Sequence, residues 1–336
     1  MTYIKKVRII AEAGVNHNGN INNLFKLIDI ASNSKSDFVK FQITNSNLIS
    51  RYAPKANYQK KLTNKKETQK AMIKKLEFNW NELHPKLLSY CTKKNIKFLT
   101  SAFDEVGLKQ INKLNLKLYK IPSGEITNAT YLEFLSKLNG EIIMSTGMSK
   151  LSEIEKALKI LTQHKNKKIT LLHCNSAYPT PFMDANLNAI ITLKNEFGYP
   201  VGYSDHTLGI EASIAAVAIG ASIIEKHFTI NKRMSGPDHK ASLDPSQLVQ
   251  LVKSIRNIEI GMGSGKKIVT KSEKENIDIA RKSIVAKIKI NKGDEFSTDN
   301  ITLKRPGTGL SPFKYQSIIG KVSNFNFLED ELIKLK

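Results

Sequence analysis

The segments GYSDHT (202–207) and SIIEKH (222–227) decide the fold of this chain. Each completes a short run of β-forming residues with polar groups, which predicts two buried strands, and the Ala-rich run 212–221 between them predicts a helix. A strand, a helix and a second strand in succession predict a parallel pair whose carboxyl ends lie at the same edge. His206 and His227 would then converge on one point, so we predict a metal site there, with a pocket formed by the rest of the chain around it.

The same alternation of strands and helices extends through residues 1–265. The predicted strands are Val7–Glu12, Phe38–Gln42, Lys97–Ser101, Lys117–Ile121, Glu141–Ser145, Ile169–Cys174, Pro200–Ser204 and Ser222–His227. Eight strand–helix units over roughly 250 residues are typical of a (β/α)8 TIM barrel, an α/β fold. A doubly wound open sheet is the alternative, but no G-x-G-x-x-G follows the first strand, which weighs against a dinucleotide-binding fold.

The pattern breaks at GMGSG (261–265), and Gly, Ser and Lys are frequent in the residues that follow. We therefore predict a barrel over 1–265, a linker over 266–280 and a small domain over 281–336 with strands Ser283–Ala286 and Ile301–Lys304. About 55 residues form only a marginal hydrophobic core, so we expect the small domain to pack against another surface, of its own chain or of a partner.

Composition excludes several classes of function. The net charge of +22 comes from lysines scattered along amphipathic helices rather than from an arginine-rich patch. We therefore interpret the charge as a drift of the overall composition toward lysine, and we expect no nucleic-acid partner. The chain has no apolar run of 18 or more residues and no apolar segment after its basic N-terminus, so neither a membrane span nor a signal peptide is expected. Two distant cysteines, Cys91 and Cys174, fit a reducing cytoplasm.

Polar residues follow nearly every predicted strand. Active sites of TIM barrels lie at the carboxyl ends of the strands, where an inert barrel would not collect such a set. The candidate residues are Glu12, Lys40, Gln42, Ser101, Phe103, Lys120, Ser123, Glu125, Ser145, Tyr178, Ser204, His206 and His227. The sequence therefore predicts an active site at this rim.

The types of these residues suggest an anion site beside a metal site. Lys40 and Lys120 lie inside apolar strands, where a lysine is costly unless an anion neutralises it, and nearby serines would complete a cradle for phosphate or carboxylate. Glu12 and Glu125 are either partners of these lysines or a pair that handles protons and substrate hydroxyls. A single histidine at a strand end is usually structural, but two on adjacent strands favour a metal with open positions.

Several motifs resemble the sialic acid synthase family. They are EAGVNHNG (12–19), VKFQ (39–42), KIPSGE (120–125), STGM (145–148), YSDHT (203–207), EKHFT (225–229), GPD (236–238) and KRPG (304–307). The resemblance implies a TIM barrel followed by an antifreeze-like (SAF) domain. It implies condensation of phosphoenolpyruvate with an N-acetylmannosamine-type sugar to a nine-carbon nonulosonic acid and phosphate. It also implies Mn²⁺ or Mg²⁺ and a domain-swapped homodimer.

The resemblance assigns roles to residues of this chain. Phosphoenolpyruvate would be bound by Lys40, Ser101, Lys120, Ser123, Ser145 and Ser204. The amino sugar would be bound by Glu12, Gln42, Phe103, Tyr178, Asp238 and, from the partner chain, Arg305. His206 and His227 would hold the metal, and Glu125 would handle the proton of the attacking water; Glu125, Lys40 and Lys120 are the catalytic candidates.

Three departures from the N-acetylneuraminate-forming pattern favour the legionaminic acid synthase branch. Phe41 stands where those enzymes tend to have His, Ser176 stands in place of Asn, and His239-Lys240-Ala241-Ser242 follows Asp238. A small Ser beside the sugar suits 2,4-diacetamido-2,4,6-trideoxymannose, with N-acetylmannosamine as the alternative acceptor. The sequence alone gives no physical reason for the triplet Asp238-His239-Lys240. A metal-dependent aldolase and a binding protein on a decayed barrel are the alternatives from other classes.

Overall fold

The computed structural model describes residues 6–63, 66–164 and 168–335, with only the backbone for 61 and 62. The chain divides into two compact units, Met1–Ser264 and Gly265–Lys336. Across the described residues, no helix combines the length and apolarity that crossing a bilayer requires.

The first unit is a closed barrel of eight parallel strands in sequence order, with β1 paired to β8. The strands are β1 Arg8–Gly14, β2 Phe38–Gln42, β3 Lys97–Ser101, β4 Leu118–Ile121, β5 Glu141–Ser145, β6 Ile169–Cys174, β7 Val201–Asp205 and β8 Ile223–His227. This confirms the predicted TIM barrel and excludes the open sheet. The register places Glu12 opposite both Lys40 and His227, so the ends of β1, β2 and β8 lie next to one another.

Helices surround the barrel and bury one face each against it. They are α1 Ile21–Asn33, α2 Asn57–Leu62, α3 Gln69–Lys74, α4 Trp80–Lys93, α5 Glu105–Lys113, α6 Ala129–Lys137, α7 Leu151–Thr162, α8 Ala189–Phe197, α9 Glu211–Ala218 and α10 Pro245–Gly261. Local chemistry sets their starts: Asp104 caps α5, and Asp244 caps α10 with Pro245 in its first turn. The polar connection expected over 45–66 contains a 3₁₀ turn (Ser46–Leu48) and α2, and its residues 64 and 65 lie outside the described part.

The inside of the barrel has two layers. An apolar layer lies toward the amino ends of the strands and is buried throughout. It consists of Ile10, Phe38, Leu99, Leu118, Ile143, Leu172 and Ile223. Two positions further along each of these strands, where the side chain points to the same face, the residue is polar. These residues are Glu12, Lys40, Ser101, Lys120, Ser145, Cys174 and Glu225. The polar side chains of the barrel interior therefore lie directly above this apolar layer.

The second unit holds the antiparallel pair β9 Ser283–Ala286 and β10 Ile301–Lys304, at the positions predicted. Its core includes Ile284, Phe296, Ile318 and Phe327. The predicted linker 266–280 is more ordered than expected, because it contains a 3₁₀ turn (Lys271–Glu273) and α11 Lys274–Ala280. A 3₁₀ turn (Pro312–Lys314) leads into α12 Tyr315–Ile318.

Candidate active site

A cavity of ≈ 460 Å³ opens at the carboxyl ends of the strands. It brings together most of the residues that the sequence nominated. Those that line it are Glu12, Lys40, Gln42, Ser101, Phe103, Lys120, Ser123, Ser145, Tyr178, Ser204, His206 and His227. The strand ends therefore form one site, as the barrel fold predicts.

The bottom of the cavity holds two lysines bridged by a carboxylate that the sequence analysis did not nominate. Glu225 Oε1 lies 3.3 Å from Lys120 Nζ, and Glu225 Oε2 lies 3.6 Å from Lys40 Nζ. Lys40 Nζ also pairs with Glu12 Oε2 at 2.9 Å. All four side chains are almost fully buried, so each lysine has the neutralising anion that its position demands.

The two carboxyl groups differ in their electrostatics. Burial raises the pKa of Glu12, although Lys40 partly offsets this effect. Burial acts on Glu225 in the same sense, but the ammonium groups of Lys120 and Lys40 outweigh it and lower the pKa of Glu225 to about 2. Glu225 is therefore the permanent anion between the lysines, and Glu12 is the group whose proton is more easily retained.

Serine hydroxyls surround the lysines. Lys40 Nζ donates to Ser101 Oγ at 3.2 Å, and Lys120 Nζ donates to Ser145 Oγ at 2.8 Å. Ser204 Oγ donates to Glu225 Oε1 at 2.9 Å, and Ser123 Oγ accepts from the Gly147 N–H at 3.0 Å. Ammonium and hydroxyl donors at this density suit an anion such as phosphate or carboxylate.

The two histidines face each other at the next level. Their ring centroids are 5.4 Å apart. His206 Nδ1 lies 2.6 Å from the Asn175 carbonyl, which only accepts, so Nδ1 carries a proton and the neutral ring would offer the lone pair of Nε2. Burial lowers the pKa of His206, but Cys174 and this carbonyl outweigh it and raise the pKa. His227 Nδ1 is buried without a hydrogen-bond partner, and burial together with His206 lowers the pKa of His227 well below its usual value. Gly14 makes room for this ring, since a Cβ there would lie 3.1 Å from His227 Cε1.

This donor set fits a divalent cation held by two imidazoles. Within the ranges that the structure describes, no three His, Cys, Asp or Glu side chains form a metal cluster. Any further coordination positions would therefore belong to water or to oxygen atoms of a substrate, as in sites that keep positions open for catalysis.

Aromatic and amide side chains form the upper part of the cavity. The ring of Tyr178 lies 4.1 Å from that of His206 and 5.1 Å from that of Tyr58, and Gln42 Nε2 donates to Glu12 Oε1 at 2.7 Å. Tyr58, Gln59 and Gln69 also line the cavity, although the sequence analysis missed them. They come from the long connection after β2, whose polar composition gave no sign that it folds back over the site.

Three nominated residues lie elsewhere. Glu125 lines an adjoining cavity of ≈ 480 Å³, which shares Gln42 and Phe103 with the first, and its Oε2 accepts from Asn128 at 2.7 Å. Asp238 lies behind His227, with Oδ2 4.0 Å from Nδ1. Arg305 is exposed in the second unit, where its Nε donates to the Ala280 carbonyl at 3.1 Å.

Family models match both units. Residues 27–267 match the NeuB family, and residues 281–336 match the SAF domain. The chain belongs to the NeuB family.

Individual relatives agree with this assignment. The chain is 52% identical over 98% of its length to all of the N,N'-diacetyllegionaminic acid synthase of Campylobacter jejuni. It is 41% identical over 95% of its length to 90% of the synthase of that name from Legionella pneumophila. The crystal structure of N-acetylneuraminic acid synthetase from Leptospira borgpetersenii, in complex with citrate, superimposes with a TM-score of 0.72 at 38% identity, covering 82% of this chain and 91% of that one.

These matches confirm the resemblance, the barrel with its SAF domain, and the enzyme class. The protein is a phosphoenolpyruvate-dependent, carbon–carbon bond-forming transferase of the NeuB family. The alternatives of an aldolase and of a decayed binding protein are thereby excluded.

Proposed function

We propose that this NeuB-family enzyme condenses phosphoenolpyruvate with 2,4-diacetamido-2,4,6-trideoxymannose to form a legionaminic-type nonulosonic acid and phosphate. The observation that carries the proposal is the stacking of two sites in one cavity. Two lysines with their serines lie at the bottom, and two imidazoles lie directly above them. An anionic three-carbon donor and an aldehyde would meet at the boundary between them.

The lower site would bind the donor. Lys40 and Lys120 would exchange part of their contact with Glu12 and Glu225 for the phosphate and carboxylate of phosphoenolpyruvate. Ser101, Ser123, Ser145 and Ser204 would donate to the same oxygens, which fixes the reactive carbon 3 in one orientation.

The upper site would hold Mn²⁺ or Mg²⁺ between His206 and His227. When bound, the ion supplies Lewis-acid polarisation of the sugar aldehyde. Burial keeps His227 neutral, as ligation requires, and the Asn175 carbonyl holds His206 in the tautomer that presents Nε2. If a chelator leaves phosphate release unchanged, or if a folded His227→Ala variant keeps full activity, this assignment is wrong.

The reaction forms one carbon–carbon bond, and at carbon 2 a carbon–oxygen bond to water replaces the one to phosphate. Carbon 3 of phosphoenolpyruvate attacks the aldehyde carbon, whose oxygen takes up a proton, and carbon 2 becomes oxocarbenium-like. Water adds to carbon 2 and loses a proton, and phosphate departs with cleavage of its C–O bond. Glu125 is our candidate for the proton of this water; burial raises the pKa of its carboxyl group toward the range of a general base or acid.

The sugar would occupy the upper part of the cavity. Gln42, Phe103 and Tyr178 line it, Glu12 reaches it from β1, and Asp238 braces it from behind His227. Arg305 of a second copy of the chain would reach the N-acyl group in a domain-swapped homodimer. An Arg305→Ala variant with an unchanged KM for the sugar would contradict this role.

N-acetylneuraminate formation from N-acetylmannosamine is the second candidate, because the Leptospira synthetase shares 38% of its sequence with this chain. Ser176, which lines the cavity, favours the bulkier diacetamido sugar. The deciding experiment offers each sugar separately with phosphoenolpyruvate and identifies the product by mass. A higher kcat/KM for the diacetamido sugar is expected, and preference for N-acetylmannosamine would overturn the proposed acceptor.

A further inference from the structure

The triplet Asp238-His239-Lys240 lies in a loop whose two ends are paired. The Thr229 N–H donates to the Leu243 carbonyl at 2.9 Å, and the Leu243 N–H donates to the His227 carbonyl at 2.8 Å. The loop 229–243 therefore starts and finishes at the end of β8, directly beside His227. Asp238 and His239 are buried in it, whereas Lys240 is exposed.

His239 joins this loop to the loop after β1. Its Nε2 lies 3.0 Å from Asn18 Oδ1, and its Nδ1 lies 2.6 Å from Thr229 Oγ1. Asn18 Nδ2 donates to the Ser235 carbonyl at 2.7 Å, so Asn18 Oδ1 is the acceptor and His239 Nε2 carries the proton. His239 Nδ1 then accepts from the Thr229 hydroxyl, and every polar atom of this fully buried ring has a partner.

The backbone is shaped to admit the ring. Gly236 has φ +155°, and a Cβ at this position would lie 2.6 Å from His239 Cδ2 and 2.7 Å from Asn18 Oδ1. A residue with a side chain would therefore push the imidazole off its partners. The glycine of the Gly-Pro-Asp motif and the histidine that follows it form one packing unit.

The same unit fixes Asp238. Ser242 Oγ donates to the Asp238 carbonyl at 2.7 Å, and Asn16 Nδ2 donates to Ser242 Oγ at 2.9 Å. Asp238 is thus held on one side by Asn16 through Ser242 and on the other by His239. Its carboxylate comes to rest 4.0 Å from the ring of His227.

We propose that His239 is a positioning residue for the acceptor sugar, because its bridge between Asn18 and Thr229 holds Asp238 beside His227 at the sugar end of the cavity. This inference rests on the proposed function, in which Asp238 braces the sugar end of the cavity from behind His227. The lysines and serines that would bind phosphoenolpyruvate come from other strands, so His239 should act on the sugar and not on the donor.

The test uses three variants of the full-length protein. His239→Leu removes both hydrogen bonds at similar volume, His239→Gln keeps a donor in place of Nε2, and His239→Asn keeps an acceptor in place of Nδ1. We expect His239→Leu to raise the KM for the sugar by about tenfold or more, because half-buried Asn18 Oδ1 and the hydroxyl of buried Thr229 lose their bonds to the imidazole. The KM for phosphoenolpyruvate should stay within about twofold of wild type, and His239→Gln and His239→Asn should give intermediate sugar values.

The matched control is His84→Leu, another buried histidine, which packs on Trp80 in α4 and does not line the cavity. It should leave both KM values unchanged. An unchanged sugar KM in His239→Leu, or equal increases for both substrates, would overturn the proposal. If His239→Leu does not fold, unchanged sugar KM values in both single-bond variants overturn it instead.

Hydrogen exchange separates this inference from the proposed function. If wild-type protein converts neither amino sugar, the proposed function fails, and the exchange of amides 230–242 still tests the bridge. These amides should exchange faster in His239→Asn and His239→Gln than in wild type or His84→Leu. Equal protection in all four proteins would show that His239 does not fix the loop.

Discussion

The two ends of the barrel each combine a cavity with a cluster of charged side chains, and they use them differently. The cavity at the amino ends of β1, β7 and β8 measures ≈ 540 Å³, larger than the ≈ 460 Å³ at the carboxyl ends. At the amino end, Asp37 Oδ2 accepts from the Ile9 N–H, Glu259 Oε1 accepts from the Val7 N–H, and Arg256 donates to the Val7 carbonyl. Each charge there completes the backbone hydrogen bonds of β1.

The charges at the carboxyl end pair mainly with one another and with neighbouring side chains, and, within the described part of the chain, only Lys120 among the four also reaches a backbone carbonyl, that of Ile121 at 3.5 Å. Lys40, Lys120, Glu12 and Glu225 form a closed group with side-chain exposures of 6% or less. Such a group can exchange partners when an anion enters, whereas the amino-end group cannot do so without freeing β1. The partners of the charges, and not the volume of the cavity, distinguish the proposed catalytic end from the opposite end.

The largest effect should come from Lys120→Met, which removes one of the four charged side chains at the carboxyl ends of the strands. Under the proposed function Lys120 contacts the donor, so loss of this fixed charge should lower kcat/KM for phosphoenolpyruvate by about 10²–10³-fold. Phosphate release measures this, and far-UV circular dichroism checks that the variant is folded. A folded variant with activity near wild type would show that this lysine is structural, like its counterparts at the amino end.

At the opposite end, Arg256→Met should affect stability alone. Arg256 donates to Asp37, Glu259 and the Val7 carbonyl, so its loss should lower the free energy of unfolding by about 2–4 kcal/mol. Trp80, the single tryptophan, is buried in the barrel core, so its fluorescence in urea reports this unit. A fall in kcat for the folded variant would contradict the division between the two ends.

Asp37→Asn tests the amino end through pH. Burial would raise the pKa of Asp37, but the Ile9 N–H, Lys6 and Arg256 outweigh it and lower the pKa below the ordinary value. A carboxyl group with a lowered folded pKa stabilises the fold above its unfolded pKa of about 3.9, and this stabilisation is lost as the pH falls through the folded pKa. Wild type should therefore be more stable than the variant by about 1–2 kcal/mol at pH 7. In urea titrations, the difference should shrink below about pH 4; a difference independent of pH would show that the charge contributes nothing.

The smallest effect is expected for a charge at neither end. Lys137 pairs with Glu133 across one turn of α6, and both are exposed. Lys137→Met should leave the melting temperature and the activity unchanged, because solvent and salt screen such pairs. If Lys137→Met lowered the melting temperature as much as Arg256→Met, solvent exposure would not explain the difference in strength between the Lys137–Glu133 pair and the ion pairs of Arg256.

Most of the fold followed from sequence because buried strands leave a clear local signal. Six of the eight barrel strands keep the predicted carboxyl-terminal residue, whereas β1 and β7 extend two residues and one residue further. The prediction of the site residues was less complete. Glu225 was missed because a charged pair inside a strand, Glu225-Lys226, does not show which member faces inward.

The alternation of side chains could have resolved this pair. If His227 faces the interior, Glu225, two positions earlier, faces it too, and Lys226 points away. The structure agrees, since Lys226 pairs with Asp205 at 2.8 Å. Tyr58 and Gln59 could not be found in this way, because their place depends on how the connection after β2 packs, which no periodic pattern encodes.

The apolar layer beneath Lys40 and Lys120 has a kinetic consequence. Because this layer fills the described part of the barrel interior beneath the lysines, both substrates and both products would enter and leave from the carboxyl ends of the strands. The molecule bound deepest must enter before the molecule bound above it. Initial-velocity and product-inhibition patterns should therefore be those of an ordered sequential reaction with phosphoenolpyruvate binding first, and random-order patterns would show that the deeper substrate has another route.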